Sequence, residues 1–131
     1  MKELLKKPEI PEMCPDEIRD FVLELVRREL QNLPEEELSR RKELCQALLA
    51  VNKESGHRAK LREAAGALVK NWQAQQEQIR GLEKLGFTIT KGRKHYKLRW
   101  NESGYFKTLS TSPSDFRSGA NGLSELLTKF F

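Results

Sequence analysis

The hydrophobic period of this chain changes at Gly86, and that change restricts the fold more than any other feature of the sequence. Upstream, apolar residues recur at steps of three and four, the repeat of helices that bury one face. Downstream they alternate singly with polar residues, the repeat of strands with one side in a core. The reading that follows is α+β: an N-terminal helical unit of about three helices, then a small α-β-β-β-α domain with an antiparallel three-stranded sheet. Three divisions are expected, an extended lead-in over 1–15, a helical region over 16–75 and a basic domain over 76–131.

Pro8, Pro11 and Pro15 account for the lead-in, which ends at a helix start near Asp16. Ile18, Phe21, Val22, Leu25, Val26 and Leu30 follow at helical spacing, with Asp16, Arg19, Asp20, Glu24 and Arg27 elsewhere. Asn32-Leu33-Pro34 closes this helix. Pro34 is suited to open a second, with Glu35, Glu36 and Glu37 in its first turn and Leu38, Cys45, Leu48 and Leu49 on one side. A third segment carries Leu61, Ala65, Leu68, Trp72, Gln75, Ile79 and Leu82 in heptad steps. An amphipathic helix packed on the first two is the favoured reading, a coiled-coil dimer the alternative, and the polar run over 71–78 suits a joint. Strands are predicted over 87–90, 93–100 and 105–110. A loop over 111–115 follows, then a final helix built on Leu123, Leu126, Leu127 and Phe130.

Charge separates the two halves. Residues 1–74 hold 14 Lys/Arg against 14 Asp/Glu, whereas 75–131 hold 10 against 5, so the net charge of +5 lies entirely in the second half. A polyanion partner is expected to meet that half. No apolar run approaches the roughly 20 residues of a membrane span. The N-terminus lacks a signal-peptide core, so a cytoplasmic chain without a membrane partner is expected. Cys14 and Cys45 stand far apart with no ligand cluster, which predicts reduced thiols and neither metal nor cofactor.

The basic strand is the sharpest functional signal. Alternation puts Tyr96, Leu98 and Trp100 on one face and Arg93, His95, Lys97 and Arg99 on the other, about 6.6 Å apart. Four cation-forming residues with no acid between them favour contact with nucleic acid over a merely solvated face. The residues expected to make that contact are Lys91, Arg93, Lys94, His95, Lys97, Arg99, Lys107 and Arg117. Tyr105 and Phe106 alternate at the start of the third strand, so one of them faces outward. Tyr105, if beside the basic strand, would stack a base. Trp72 and Trp100 are expected in the core, and the N-terminal helices are expected to mediate self-association or attachment to a protein partner.

Leu82-Glu83-Lys84-Leu85-Gly86-Phe87, followed by a basic turn and by His95 on a strand, resembles the HicA-type toxins. These are small messenger-RNA-cleaving proteins with a double-stranded-RNA-binding-domain-like fold. The resemblance covers 76–131 and implies RNA as the preferred partner and His95 as the catalytic residue of a ribonuclease. The family carries Gly-Ser directly before that histidine, where this chain has Arg93-Lys94. Binding is therefore expected ahead of cleavage. An adaptor module that uses only its helices is a further alternative.

Overall fold

Helical spacing and strand alternation both reach the folded chain, though not with the predicted boundaries. The computed structural model describes residues 5–101, 103–111 and 119–131. Its elements run α1 (Glu17–Asn32), α2 (Arg40–Val51), α3 (His57–Lys70), α4 (Gln76–Lys84), β1 (Phe87–Lys91), β2 (His95–Trp100), β3 (Lys107–Ser110) and α5 (Gly119–Phe130). The class is α+β, with helices leading into a three-stranded antiparallel sheet of order β1-β2-β3 and a closing helix. No helix among the described residues is long and apolar enough to cross a membrane.

Two compact units emerge, one formed by Cys14–Lys60 and the other by the described residues up to Met13 together with Leu61–Phe131. The division falls within α3, so the boundary expected at 75/76 lies inside the second of these. The reason is burial: Leu61, Ala65, Val69 and Trp72 are all buried. Trp72 Nε1 donates to Ser110 O at 2.8 Å, and its ring meets Tyr96 edge-on at 6.0 Å.

In the unit formed by 14–60, the second helix starts later than Pro34 suggests. Ser39 is the N-cap, its hydroxyl accepting from Lys42 N–H at 3.2 Å, and Pro34 to Glu37 forms a turn instead. A serine hydroxyl satisfies an otherwise orphaned donor, which proline only tolerates. Leu38 is left 96% exposed, not on the core side. α1 also keeps its expected polarity only in part, with Ile18, Val26 and Leu30 half-buried. Phe21, Val22 and Leu25 are 43%, 46% and 47% exposed, while Asp20, Leu23 and Glu24 are buried.

Those two carboxylates are buried because the start of α3 and the two residues before it supply their partners. Asp20 accepts from Ser55 N–H at 2.8 Å, Ser55 Oγ at 2.7 Å and Gly56 N–H at 3.1 Å, holding the start of α3. Glu24 faces the buried Arg58 guanidinium and accepts from Arg28 at 2.7 Å. Burial pushes the Asp20 carboxyl up, but the donors from Ser55, Gly56 and Arg58 outweigh it and hold it below the usual carboxylate range. Its contribution to stability is thus complete above the unfolded-state value of about 3.9 and is lost as pH falls through the lower folded-state value. Asp20→Asn is expected to cost about 1–3 kcal/mol near neutral pH. Urea unfolding at pH 7, 5 and 3 should show the gap from wild type narrowing at pH 3. A gap that stays constant across that range would exclude a role for ionisation.

In the sheet unit, the heptad run over 61–82 is two helices and not one seam. Trp72 follows the end of α3, Ala74 adopts φ 52°, and a Gln75/Gln78 capping box opens α4. The polar run over 71–78 thus holds the break between α3 and α4, inside one unit. Phe87, Tyr96, Leu98, Trp100 and Leu109 on one side of the sheet are buried, as are Ile79 and Leu82 of α4 and Leu126 and Phe130 of α5. Phe87 meets Trp100 and Phe130 edge-on, each at 5.3 Å.

Candidate nucleic-acid interface

The register of the sheet determines which side chains share its outer face. Residues directly opposite on neighbouring strands project to the same side. Lys97 sits between Thr90 of β1 and Thr108 of β3, Arg99 is opposite Thr88, and His95 is opposite Ser110. His95 and Lys97 are exposed and Arg99 is half-buried, while Tyr96, Leu98 and Trp100 between them are buried. Thr88, Thr90 and Thr108 are exposed around this row. The face is therefore a line of cations and an imidazole set among short hydroxyl side chains.

β2 begins at His95, two residues later than predicted. Residues 92–94 form the hairpin loop, closed by Gly92 N–H donating to His95 O at 2.8 Å. Thr111 Oγ1 donates to Lys94 O at 2.8 Å and ties the loop to the end of β3. Arg93 and Lys94 are exposed at this tip and do not extend the strand row. Among the described residues, Lys91, Arg93, Lys94, Lys97 and Arg99 make no ion pair, and the His95 imidazole makes no hydrogen bond.

Two further expected contact residues, Lys91 and Lys107, lie apart from this row. Lys91 is opposite Tyr96, so it projects to the core side of the sheet and is exposed at the strand end. Lys107 is opposite Leu98 and is buried, its Nζ 2.6 Å from Glu125 Oε2 and 2.9 Å from Thr108 O. The hydrogen bond and charge of Lys107 hold the Glu125 carboxyl below its ordinary range. Alternation explains the placement, since Lys107 shares parity with the buried Leu109. Arg117 and most of the 111–115 loop lie outside the described residues.

No family model, curated protein or solved structure matches this chain. The site must be read from its own geometry.

That geometry decides between the two aromatic residues in favour of Phe106. β3 starts at Lys107, and Tyr105 turns toward α5, where its ring meets Phe130 at 5.7 Å. Phe106 lies on the cationic side. Lys97 Nζ is 4.9 Å, and Arg99 Cζ 5.2 Å, from the centroid of its ring. Both distances are within cation–π range. The signal for this was present in the turn length: if 101–104 is a four-residue connection, Trp100 pairs with Tyr105 and Arg99 with Phe106. Among the described residues, no group of three or more His, Cys, Asp or Glu could hold a metal ion.

Proposed function

We propose that this protein binds nucleic acid, RNA in preference to DNA, across the outer face of its sheet and the adjoining hairpin loop. One observation carries the reading: Arg93, Lys94, Lys97 and Arg99 form a cationic surface whose charges are not neutralised by any carboxylate among the described residues. Such charges gain most by displacing counterions from phosphates. Thr88, Thr90 and Thr108 beside them offer hydroxyls that donate to and accept from a ribose 2′-OH. The resemblance of 76–131 to RNA-cleaving HicA-type toxins supports the same partner.

Fluorescence anisotropy with labelled RNA and DNA oligonucleotides tests the reading. With three or four ion contacts, log affinity should fall against log salt with a slope of about −2 to −4. Replacing Lys97 by Ala should weaken RNA binding and flatten that slope by about 1. No binding to either polymer at low salt would overturn the proposal.

The exposed position of His95, between the cationic loop and Lys97, favours a second reading in which the imidazole takes the proton of a 2′-hydroxyl, the 2′-oxygen bonds to the adjacent phosphorus, and the P–O5′ bond breaks with the 5′-oxygen taking a proton from water. End-labelled RNA incubated with wild type and with His95→Ala, then run on a denaturing gel, decides it. Fragments from wild type alone support cleavage. Fragments from both proteins, or from neither, count against it.

A further inference from the structure

We infer that the ligand of this face is single-stranded RNA with an unpaired base stacked on the Arg99–Phe106 pair. The inference rests on the RNA-binding reading above and narrows it to one form of the polymer. Two features distinguish this pair from an ordinary cationic patch.

The first is how Arg99 is held. Its guanidinium carbon lies over the Phe106 ring, and its Nε is buried with no hydrogen-bond partner among the described residues. The side chain is thus laid against the sheet, not extended into solvent as a flexible counter-charge. A guanidinium supported in this way is a planar surface on which a base can stack, with the aromatic ring beneath holding it in place. A point charge seeking only phosphate needs neither a ring under it nor a shielded Nε.

The second is the surroundings. Thr88 opposite Arg99, and Thr90 and Thr108 on either side of Lys97, are short, so the Arg99–Phe106 pair is bordered by low side chains. A splayed base can reach it between the strands. In a duplex the faces of the bases are hidden against their neighbours, and an A-form helix presents its shallow groove and phosphates instead. Lys97, also over the ring, supplies the charge next to the platform for the adjoining phosphate.

Anisotropy on one RNA sequence, offered single-stranded and as a blunt duplex at the same salt, is the test, with Phe106→Leu and Arg99→Lys as variants. Leucine keeps an apolar side chain against the sheet, and lysine keeps the charge, so each removes a planar surface with little change in the rest. Circular dichroism melting checks that both variants fold. The single strand is expected to bind at least about tenfold more tightly than the duplex. Each variant should lose about fivefold or more for the single strand, with its salt slope unchanged. A 2-aminopurine placed in the single strand should change its fluorescence on binding wild type and less on binding Phe106→Leu. Equal affinity for both forms, or wild-type affinity in Phe106→Leu, overturns the platform and leaves phosphate contact standing. No binding of either form at low salt overturns the RNA-binding reading and the platform with it.

Discussion

Glu24→Gln is expected to remove about 3–5 kcal/mol of stability, a large share of what a domain of this size possesses. The Glu24 and Arg58 side chains are 8% and 5% exposed and paired with one another, and Arg58 also lies 5.2 Å from the centroid of the Phe21 ring. Neutralising the carboxylate leaves the guanidinium charge in place, in surroundings too poorly solvated to screen it. The large loss reflects a buried charge deprived of its paired carboxylate and does not measure the net worth of the pair. Replacing both partners with apolar residues, as in Glu24→Leu with Arg58→Met, should therefore recover most of the deficit. Arg28 reaches the same carboxylate from solvent, being 64% exposed, so Arg28→Ala should cost only about 0.3–0.5 kcal/mol. Urea unfolding followed by circular dichroism measures all three. A Glu24→Gln protein within about 1 kcal/mol of wild type would show that this pair is not buried in solution.

Gly86→Ala carries the second large effect, from two separate sources. Gly86 ends α4: its N–H donates to Glu83 O at 3.0 Å, Leu85 N–H donates to Gly81 O at 3.2 Å, and φ is +108°. This is the position after a helix end where glycine is favoured because it has no Cβ. An added Cβ would sit 2.8 Å from Trp100 Cζ3 and closer still to Cη2. Backbone strain and the displaced indole together should cost about 2–5 kcal/mol. Gly56 provides the comparison, since its φ is +90° but a Cβ there meets nothing within 4 Å. Gly56→Ala should show the strain alone, about 1–2 kcal/mol. Thermal melting read by far-UV circular dichroism compares them, and near-UV signals report whether the indole has moved. If Gly86→Ala is no worse than Gly56→Ala, the contact with Trp100 carries no penalty.

The fold was legible wherever a local rule sufficed. The order α-β-β-β-α and the split of β2 into Tyr96, Leu98 and Trp100 against His95, Lys97 and Arg99 follow from alternation, and both are present. Rules about neighbours in sequence failed where a distant group decided. Periodicity marks Phe21, Val22 and Leu25 as part of the inward stripe of α1, yet they are exposed while Asp20 and Glu24 are buried beside Leu23. Their partners Ser55, Gly56 and Arg58 lie more than thirty residues away, and nothing local announces them. The heptad run misled for a related reason, since hydrophobic spacing continues across a backbone break at Ala74. At the candidate site, residue type was read more easily than side. Lys91 and Lys107 are basic and adjacent, but parity places them toward the core side of the sheet. Alternation puts one of Tyr105 and Phe106 outward, and only the length of the β2–β3 turn decides that it is Phe106.

One strand, β2, carries both the deepest apolar residue of the sheet, Leu98, and the cations that alternate with it. This interleaving sets unequal tolerances for insertion along the hairpin. A residue added at 92–94 lengthens only the exposed tip, changing how far Arg93 and Lys94 reach while the ladder below is preserved. A single residue added within 95–100 would invert every side chain beyond it, turning cations inward and Leu98 and Trp100 outward. The tip is therefore the part of the hairpin that is free to vary in length between variants, whereas the strand can change identity but not count.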